Sequence, residues 1–226
     1  MSEWIIKKTM EDLDVNKVSR MNLLNTIDKS SLKLNTSILN SIDVTDNYYT
    51  QYLNNNLISH EYFGLKSGNE PYRLLIYISL LFNNCDLFDV GTYGGVSALA
   101  LSSNPSNNIH SFDLVDKHSK QLHNEKNIHF YIEDILQHTE HHEKLLSSPF
   151  IYLDTLHDGA FESHFYNFLV KNNYKGILVL DDIYLNSEMK SFWNSINVKK
   201  FDITKYGHAT GTGMVVFNDT INIELE

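Results

Sequence analysis

Residues 87–101 read LFDVGTYGGVSALAL, in which a short apolar run meets a glycine turn and then a helical segment. Glycine permits positive φ and a close approach of the backbone to a ligand. The unpaired N–H groups at the start of the helix point to the same place and favour an anion. Asp89, just before the turn, indicates that the ligand also carries positive charge or hydrogen-bond donors. By itself the stretch also fits an ordinary strand-to-helix turn whose glycines serve geometry alone.

Length and composition limit the class of protein. With 226 residues, 42% of them hydrophobic, the chain can form one large domain with a full core. A formal net charge of −10 leaves no Lys/Arg footprint for phosphates, so nucleic acid is not an expected partner. A single cysteine excludes an internal disulfide framework and fits a reducing compartment. No apolar run reaches membrane-spanning length, so we expect a cytoplasmic protein without a membrane partner.

Two parts of the chain differ in pattern. Residues 1–69 are rich in Asn, Ser, Asp and Lys with intermittent apolar positions, and we expect an N-terminal helical cap there. Residues 70–226 alternate apolar runs of strand length with helical stretches and should form the main domain. Aromatic residues in the cap either line a substrate pocket or pack against the core, packing being the commoner role, and the segment is also a candidate homo-oligomer interface. These aromatic residues are Tyr48, Tyr49, Tyr52, Tyr62 and Phe63.

The predicted fold class is α/β, with a doubly wound, mostly parallel, seven-stranded Rossmann-like sheet, an antiparallel final strand and the helical cap. A helix from Pro71 to about Phe82 should precede the first strand. The segment Lys205–Gly213 is too short for a helical crossover, so the last two strands should pair antiparallel at a sheet edge. This glycine-rich segment either closes over a substrate or is a plain hairpin loop. The expected strands are Leu87–Val90, Ile109–Asp113, Ile128–Tyr131, Phe150–Asp154, Gly176–Leu180, Phe201–Thr204 and Met214–Phe217.

Acidic residues recur at the ends of the predicted strands, where open α/β sheets bind their ligands. Asp113 ends the second strand, where a carboxylate can accept hydrogen bonds from two ribose hydroxyls, and this implies a nucleoside-containing cofactor; the alternative is a solvated acid at the strand end. Asp134, or Glu133 beside it, can accept from an adenine amino group. Asp134 can equally cap a helix predicted over Ile135–Leu146.

The glycine turn separates two nucleoside cofactors. A dinucleotide fingerprint has the form G-x-G-x-x-G/A, whereas residues 89–95 read D-x-G-x-x-x-G and lack the second glycine. Over roughly residues 70–217 the chain resembles the class I S-adenosylmethionine-dependent methyltransferases, in particular metal-dependent O-methyltransferases related to catechol O-methyltransferase and macrolide-sugar methyltransferases. The resemblance implies that Asp89 lies near the amino group of the cofactor and that Asp113 is the ribose-binding acid. It also implies that the turn contacts the methionine part through Gly91, Tyr93, Gly95 and Ser97.

Three carboxylates fall at two neighbouring strand ends: Asp154 after the fourth strand, and Asp181 and Asp182 after the fifth. Such charges repel one another unless a cation compensates them. Mg²⁺ prefers oxygen ligands and leaves coordination places for a substrate hydroxyl, and the resembling family has acids at the same strand ends. We therefore expect Mg²⁺ on these residues, although Asp181 and Asp182 could instead cap the following helix.

His157 lies three residues after Asp154, where the catechol-type enzymes carry a catalytic lysine. An ordinary histidine pKa of about 6.5 leaves the ring largely neutral and able to accept a proton, so Asp154 and His157 are the predicted catalytic residues. A lone histidine also commonly makes a structural hydrogen bond. A second group consists of the histidines His138, His141 and His142, whose spacing would allow zinc binding. Their polar surroundings favour a solvated helix face instead.

These features together predict an S-adenosylmethionine-dependent O-methyltransferase. Its substrate would be a small molecule with a hydroxyl group, such as a sugar, a polyketide or a catechol-like compound, and a divalent metal would assist. Two alternatives stay open. One is an NAD-dependent oxidoreductase, which the missing second glycine disfavours. The other is a non-catalytic S-adenosylmethionine-binding protein, in which three neighbouring carboxylates would have no purpose.

Overall fold

Strands and helices alternate along the chain in a computed structural model, which describes residues 17–53, 60–218 and 222–226. The strands are β1 (Ser31–Leu34), β2 (Asp86–Val90), β3 (Asn108–Asp113), β4 (Ile128–Ile132), β5 (Phe150–Leu153), β6 (Ile177–Leu180), β7 (Lys200–Asp202), β8 (Gly213–Val216) and β9 (Asn222–Leu225). The helices are α1 (Arg20–Thr26), α2 (Thr36–Ser41), α3 (Asn47–Leu53), α4 (His60–Phe63), α5 (Tyr72–Leu81), α6 (Val96–Leu101), α7 (His142–Ser147), α8 (Ala160–Lys171) and α9 (Ser187–Ser195). Short 3-10 helices occupy Lys120–Asn124, Thr139–His141 and Thr204–Tyr206.

The central sheet has seven strands in the order β4-β3-β2-β5-β6-β8-β7. Neighbours from β4 to β6 pair in parallel, whereas β8 runs antiparallel to both β6 and β7. Every residue of β5 and β6 is buried, as expected for parallel strands covered on both faces. The predicted doubly wound sheet with an antiparallel final pair is confirmed.

Two hydrophobic clusters cover the two faces of this sheet. Alternate residues of one strand enter different clusters: Phe150 and Tyr152 lie in the first, and Ile151 and Leu153 lie in the second. The first cluster also contains buried residues of α2, α3 and α5, so the N-terminal segment shares its core with the sheet. The second cluster packs α8 and α9 against the opposite face. No helix in the described ranges combines the length and apolarity needed to cross a bilayer.

The N-terminal segment contains a strand as well as the expected helices. β1 pairs in parallel with β9, with Ser31 opposite Asn222 and Leu34 opposite Leu225. Along β1, Leu32 and Leu34 are buried and Ser31 and Lys33 are half-buried, an alternation typical of a strand with one covered face. An alternation over only four residues is too short to identify a strand from the sequence. The partner strand also lies near the other end of the chain, so the pair β1–β9 was not predicted.

The predicted helix over Ile135–Leu146 is wrong. A turn follows β4, a 3-10 helix covers Thr139–His141, and α7 begins only at His142. The Asp134 carboxylate accepts hydrogen bonds from Leu136 N at 2.9 Å and Gln137 Nε2 at 2.8 Å. The residues that follow Asp134 form a turn and not a helix, and the Asp134 side chain bonds within that turn. Asp134 therefore caps no helix, and it stays at the carboxyl end of β4.

Candidate functional site

The glycine turn after β2 lies directly against the end of β5. Gly91 and Gly95 have φ values of +104° and +86°, which L side chains rarely adopt. A methyl group at Gly91 would come within 1.6 Å of the Asp154 carbonyl oxygen. Gly91 N and Thr92 N donate to Phe112 O, which joins the turn to β3 as well. Glycine is thus required at residue 91 because the turn and the end of β5 are in backbone contact.

Asp89 lies beneath this turn with no exposed surface. Its Oδ2 accepts a hydrogen bond from Ser111 Oγ at 2.6 Å, whereas Oδ1 lacks a partner of regular geometry. Burial raises the pKa of Asp89 to about 7, against the opposing effect of the Ser111 and Ser97 hydroxyls. Asp89 is therefore a buried acid with spare hydrogen-bonding capacity next to the turn.

Asp113, at the end of β3, orders the opposite side of the turn. Its Oδ2 accepts from Tyr93 N at 2.7 Å, and its Oδ1 accepts from Val115 N at 3.0 Å. Tyr93 is held with a φ of +40° and is 68% exposed. Both carboxylate oxygens keep lone pairs for further donors, so these bonds orient Asp113 without using up its capacity.

A cavity of about 480 Å³ lies over the carboxyl ends of β2 to β5, within the size range of small-molecule sites. Its lining includes six of the predicted site residues: Gly91, Tyr93, Asp113, Asp134, Asp154 and His157. Of the other predicted residues, Asp89, Gly95 and Ser97 lie behind the turn, and Asp181 and Asp182 lie outside the cavity lining.

Two leucines are among the apolar lining residues that the sequence analysis did not single out. Leu114 is 64% exposed and Leu156 is 71% exposed, yet both contribute to the wall of the cavity. Leu114 follows Asp113 directly and Leu156 follows Asp154 by two residues, but nothing in the sequence marks either side chain as exposed. Each offers an apolar surface to a flat ring.

The three predicted metal ligands lie at the ends of β5 and β6, with a histidine on either side. His157 Nε2 lies 3.0 Å from Asp154 Oδ1 and 3.6 Å from Asp182 Oδ2. His208 Nδ1 lies 3.0 Å from Asp181 Oδ2 and 3.1 Å from Asp182 Oδ1. The carboxylates thus share imidazole neighbours, and His208 was not among the predicted site residues because it lies far along the chain from either acid.

The environment of these groups shifts their protonation. Burial opposes a charge on His208, but hydrogen bonds to Asp181 and Asp182 outweigh it and raise the pKa of His208 to about 11. The pKa of His157 is also raised, since Asp154 outweighs the effect of burial. The expectation of an ordinary, largely neutral His157 does not hold in this environment. Burial also raises the pKa of Glu70, a neighbour of His208 that the sequence analysis missed, to about 7.

Backbone strain concentrates at the same place. Five non-glycine residues of the described chain have positive φ, and three of them are site residues: Tyr93, His157 and Asp182. Such conformations cost of order 1–3 kcal/mol each and persist where the surroundings fix them. The Glu162 carboxylate accepts from His157 N at 2.9 Å, and Asn186 Nδ2 donates to His157 O at 2.7 Å. Glu162 of α8 and Asn186, directly before α9, therefore hold the strained His157 backbone.

The other candidates serve packing or surface contacts. His141 Nε2 lies 2.6 Å from Glu133 Oε1, His138 Nδ1 lies 3.4 Å from Glu133 Oε2, and His142 Nε2 contacts Ile135 O instead. His138 and His141 thus share the Glu133 carboxylate, whereas His142 bonds a backbone carbonyl. Tyr49 and Phe63 are buried in the core, Tyr48 and Tyr52 bond Glu125, and Tyr62 is 52% exposed; none of the five lines the cavity.

Comparisons with known proteins gave a match only at the level of structure. No protein-family model matches the chain, and no curated protein does. An O-methyltransferase from Bacillus cereus in complex with SAH aligns with 87% of this chain and 96% of its own, with 13% identity and a TM-score of 0.50. A candidate caffeoyl-CoA O-methyltransferase from Staphylococcus aureus aligns with 64% of this chain and 81% of its own, with 12% identity and a TM-score of 0.51. The chain therefore has the fold of S-adenosylmethionine-dependent O-methyltransferases.

Proposed function

We propose that the protein is an S-adenosylmethionine-dependent O-methyltransferase that acts on a hydroxyl group of a small molecule. One observation carries the proposal. Asp154, Asp181 and Asp182, with His157 and His208 beside them, form an acidic cluster, and Asp154 and His157 of this cluster also line the cavity beside the glycine turn. A cofactor in the cavity and an acceptor at the cluster would meet at these two residues. Bringing the two reactants together supplies a large part of the acceleration in such reactions.

The cavity offers complementary groups to each part of the cofactor. Asp113 suits the ribose hydroxyls, since its carboxylate is oriented by Tyr93 N and Val115 N. Leu114 and Leu156 offer apolar surfaces to the adenine, and Asp134 lies at the edge of the same cavity. Buried Asp89 offers its unpartnered Oδ1 as a hydrogen-bond acceptor near the turn, where the amino group of the methionine part is expected.

The acidic cluster suits a divalent cation. Asp181 is 4% exposed, and its Oδ1 has no hydrogen-bond partner, which leaves a buried carboxylate oxygen free to act as a ligand. Asp154, Asp181 and Asp182 would hold the ion. When bound, a divalent cation lowers the pKa of a coordinated hydroxyl.

The chain's own residues then position the reaction. Asp154 Oδ1 lies 3.0 Å from His157 Nε2 and orients the ring, and the neutral imidazole would take the hydroxyl proton through its other nitrogen. The acceptor oxygen attacks the methyl carbon in line as the bond from that carbon to sulfur breaks. The products are the methyl ether, S-adenosylhomocysteine and a proton. The strained turn at His157 fixes the ring relative to the cavity.

A methyl-transfer assay with Asp181→Ala tests this function. Wild-type protein, supplied with Mg²⁺ or Mn²⁺ and a panel of sugars, catechols and polyketide alcohols, should form S-adenosylhomocysteine with at least one class of acceptor. Asp181→Ala should lose turnover by about 100-fold or more while still binding S-adenosylmethionine. Equal turnover in the variant, or full wild-type activity with excess chelator, would contradict the metal-assisted mechanism.

A further inference from the structure

His208 gives the acidic cluster a donor that a magnesium site does not use. The ligand-capable atoms of Asp181, Asp182 and His208 all lie within 4.8 Å of one another. The two acids follow β6, whereas His208 precedes β8, so the antiparallel pairing of these strands brings the three together. A second imidazole, that of His157, lies 3.6 Å from Asp182 Oδ2. The cluster therefore presents oxygen donors and, once an incoming ion displaces the His208 proton, a nitrogen donor as well.

The loop that carries His208 is fixed in place. His208 N donates to Thr212 Oγ1 at 2.7 Å, and Ala209 N donates to Asn69 O at 3.3 Å. Thr210 Oγ1 donates to Asp182 Oδ1 and lies 3.1 Å from His208 Nδ1. The imidazole is thus held with Nδ1 toward the acids by contacts on both sides of the residue.

An independent observation points to a missing ligand at this cluster. Asp181 is almost fully buried, and its Oδ1 has no hydrogen-bond partner. A buried carboxylate oxygen without a partner is costly unless something else satisfies it. A cation bound by Asp181 would supply that interaction.

Ligand chemistry then separates the candidate ions. Mg²⁺ takes oxygen ligands in proteins, whereas imidazole suits Fe²⁺, Ni²⁺, Cu²⁺ and Zn²⁺, and Co²⁺ falls between Fe²⁺ and Ni²⁺ in affinity. We infer that His208, Asp181 and Asp182 form a mixed nitrogen and oxygen site that binds a transition-metal ion in preference to Mg²⁺. This inference refines the metal of the proposed function, and it differs from the magnesium expected from the carboxylates alone.

The competing interpretation of His208 predicts an effect of opposite sign. If His208 is only a positive counter-charge for the two acids, its removal frees the carboxylates and strengthens cation binding. If His208 is a ligand, its removal weakens the binding of a transition metal. The variant His208→Gln distinguishes the two, and His164→Gln, on the exposed face of α8, is a matched control.

The experiment is a Co²⁺ titration of metal-free protein, without cofactor or acceptor, followed by the visible absorption of the bound ion, with Mg²⁺ measured by calorimetry. We expect Co²⁺ to bind at least about tenfold more tightly than Mg²⁺. His208→Gln should lower Co²⁺ affinity by about 10–100-fold, as losses at metal sites commonly do, and Asp181→Asn should abolish binding. The His164→Gln control should match the wild type.

Equal affinities for the two ions, or an unchanged or raised Co²⁺ affinity in His208→Gln, would overturn the inference. His208→Cys is a second test that does not depend on a loss of binding. A thiolate ligand at residue 208 should add a sulfur-to-cobalt charge-transfer band that is absent from the wild type. A folded His208→Cys variant that binds Co²⁺ without this band would also overturn the inference. Because the titration uses the ion alone, cobalt binding without methyl transfer would refute only the proposed function. Methyl transfer without selective cobalt binding would refute only the inference.

Discussion

At the scale of single residues, the site combines buried charges with a strained backbone. Gly91 was predictable, because a strand-to-helix turn with this glycine spacing is visible in sequence. His208 and Glu70 were not, since their proximity to the acids arises from strand order and not from spacing. The altered environment of His157 was equally invisible, because a pKa depends on neighbours that only the fold provides.

Asp89 should make stability depend on pH. The Asp89 carboxyl loses its proton near pH 4 in the unfolded chain but keeps it until about pH 7 in the folded protein. Protonation of Asp89 therefore stabilises the folded protein at low pH, and this stabilisation is lost as the pH rises through 7. Asp89→Asn should therefore gain stability relative to the wild type between pH 4 and pH 8, by up to roughly 4 kcal/mol. Urea unfolding at several pH values measures this difference.

Asp158 provides a control of opposite sign for the Asp89 prediction. Hydrogen bonds from Phe161 N and Ala160 N lower the pKa of its carboxyl. The ionised carboxylate stabilises the folded protein above the pKa of the unfolded chain, and this stabilisation is lost as the pH falls. The free energy of unfolding of Asp158→Asn should therefore drop below that of the wild type as the pH rises. Parallel pH trends for the two variants would show that the burial of Asp89 is not the cause.

At the scale of elements, apolar continuity decided which parts of the fold were predictable. β5 and β6 were expected to within one residue at each end, because fully buried parallel strands are continuous apolar runs. The helix expected over Ile135–Leu146 failed because Asp134 stabilises a turn there. The pair β1–β9 was missed because each strand has four residues and its partner lies near the other end of the chain.

Helix α8 should act on the site through Glu162. This carboxylate is buried and accepts from His157 N and from Thr155 Oγ1 at 2.7 Å. Glu162→Ala would leave both donors without their partner and should cost about 1–3 kcal/mol in the free energy of unfolding. We also expect turnover to fall more than cofactor affinity does, because the strained loop at His157 loses its support.

Glu143 is the matched control for Glu162, since it lies in the first turn of α7 and is exposed. Glu143→Ala should change the free energy of unfolding by less than about 0.5 kcal/mol and leave turnover intact. Similar losses in the two variants would mean that Glu162 contributes only as a helix-start charge.

At the scale of the whole molecule, Arg73 joins the N-terminal segment to the sheet. Its guanidinium donates to Leu65 O at 2.8 Å, Ile42 O at 2.6 Å and Gly64 O at 3.1 Å. These carbonyls belong to the loops after α2 and α4, so one side chain from α5 satisfies two connections of the cap. The boundary at residues 69 and 70 stays a prediction, although the two parts share one hydrophobic cluster.

Arg73→Met should therefore destabilise the whole protein. Several buried carbonyl groups would lose their donor, and we expect a loss of about 2–4 kcal/mol in the free energy of unfolding. Thermal unfolding should show one transition at lower temperature, with Lys126→Met, an exposed lysine, as the control. An early transition confined to the cap, with the main transition unchanged, would show instead that the two parts unfold separately.

The central claim is that the cavity beside the glycine turn binds S-adenosylmethionine, and a calorimetric titration tests it most directly. S-adenosylmethionine or its demethylated product should bind wild-type protein with one site per chain, and NAD⁺ should produce no binding heat. Asp113→Ala should weaken binding by at least about tenfold, since the oriented ribose acceptor is lost. Binding of NAD⁺ in place of S-adenosylmethionine, or an Asp113→Ala affinity equal to that of the wild type, would contradict this account.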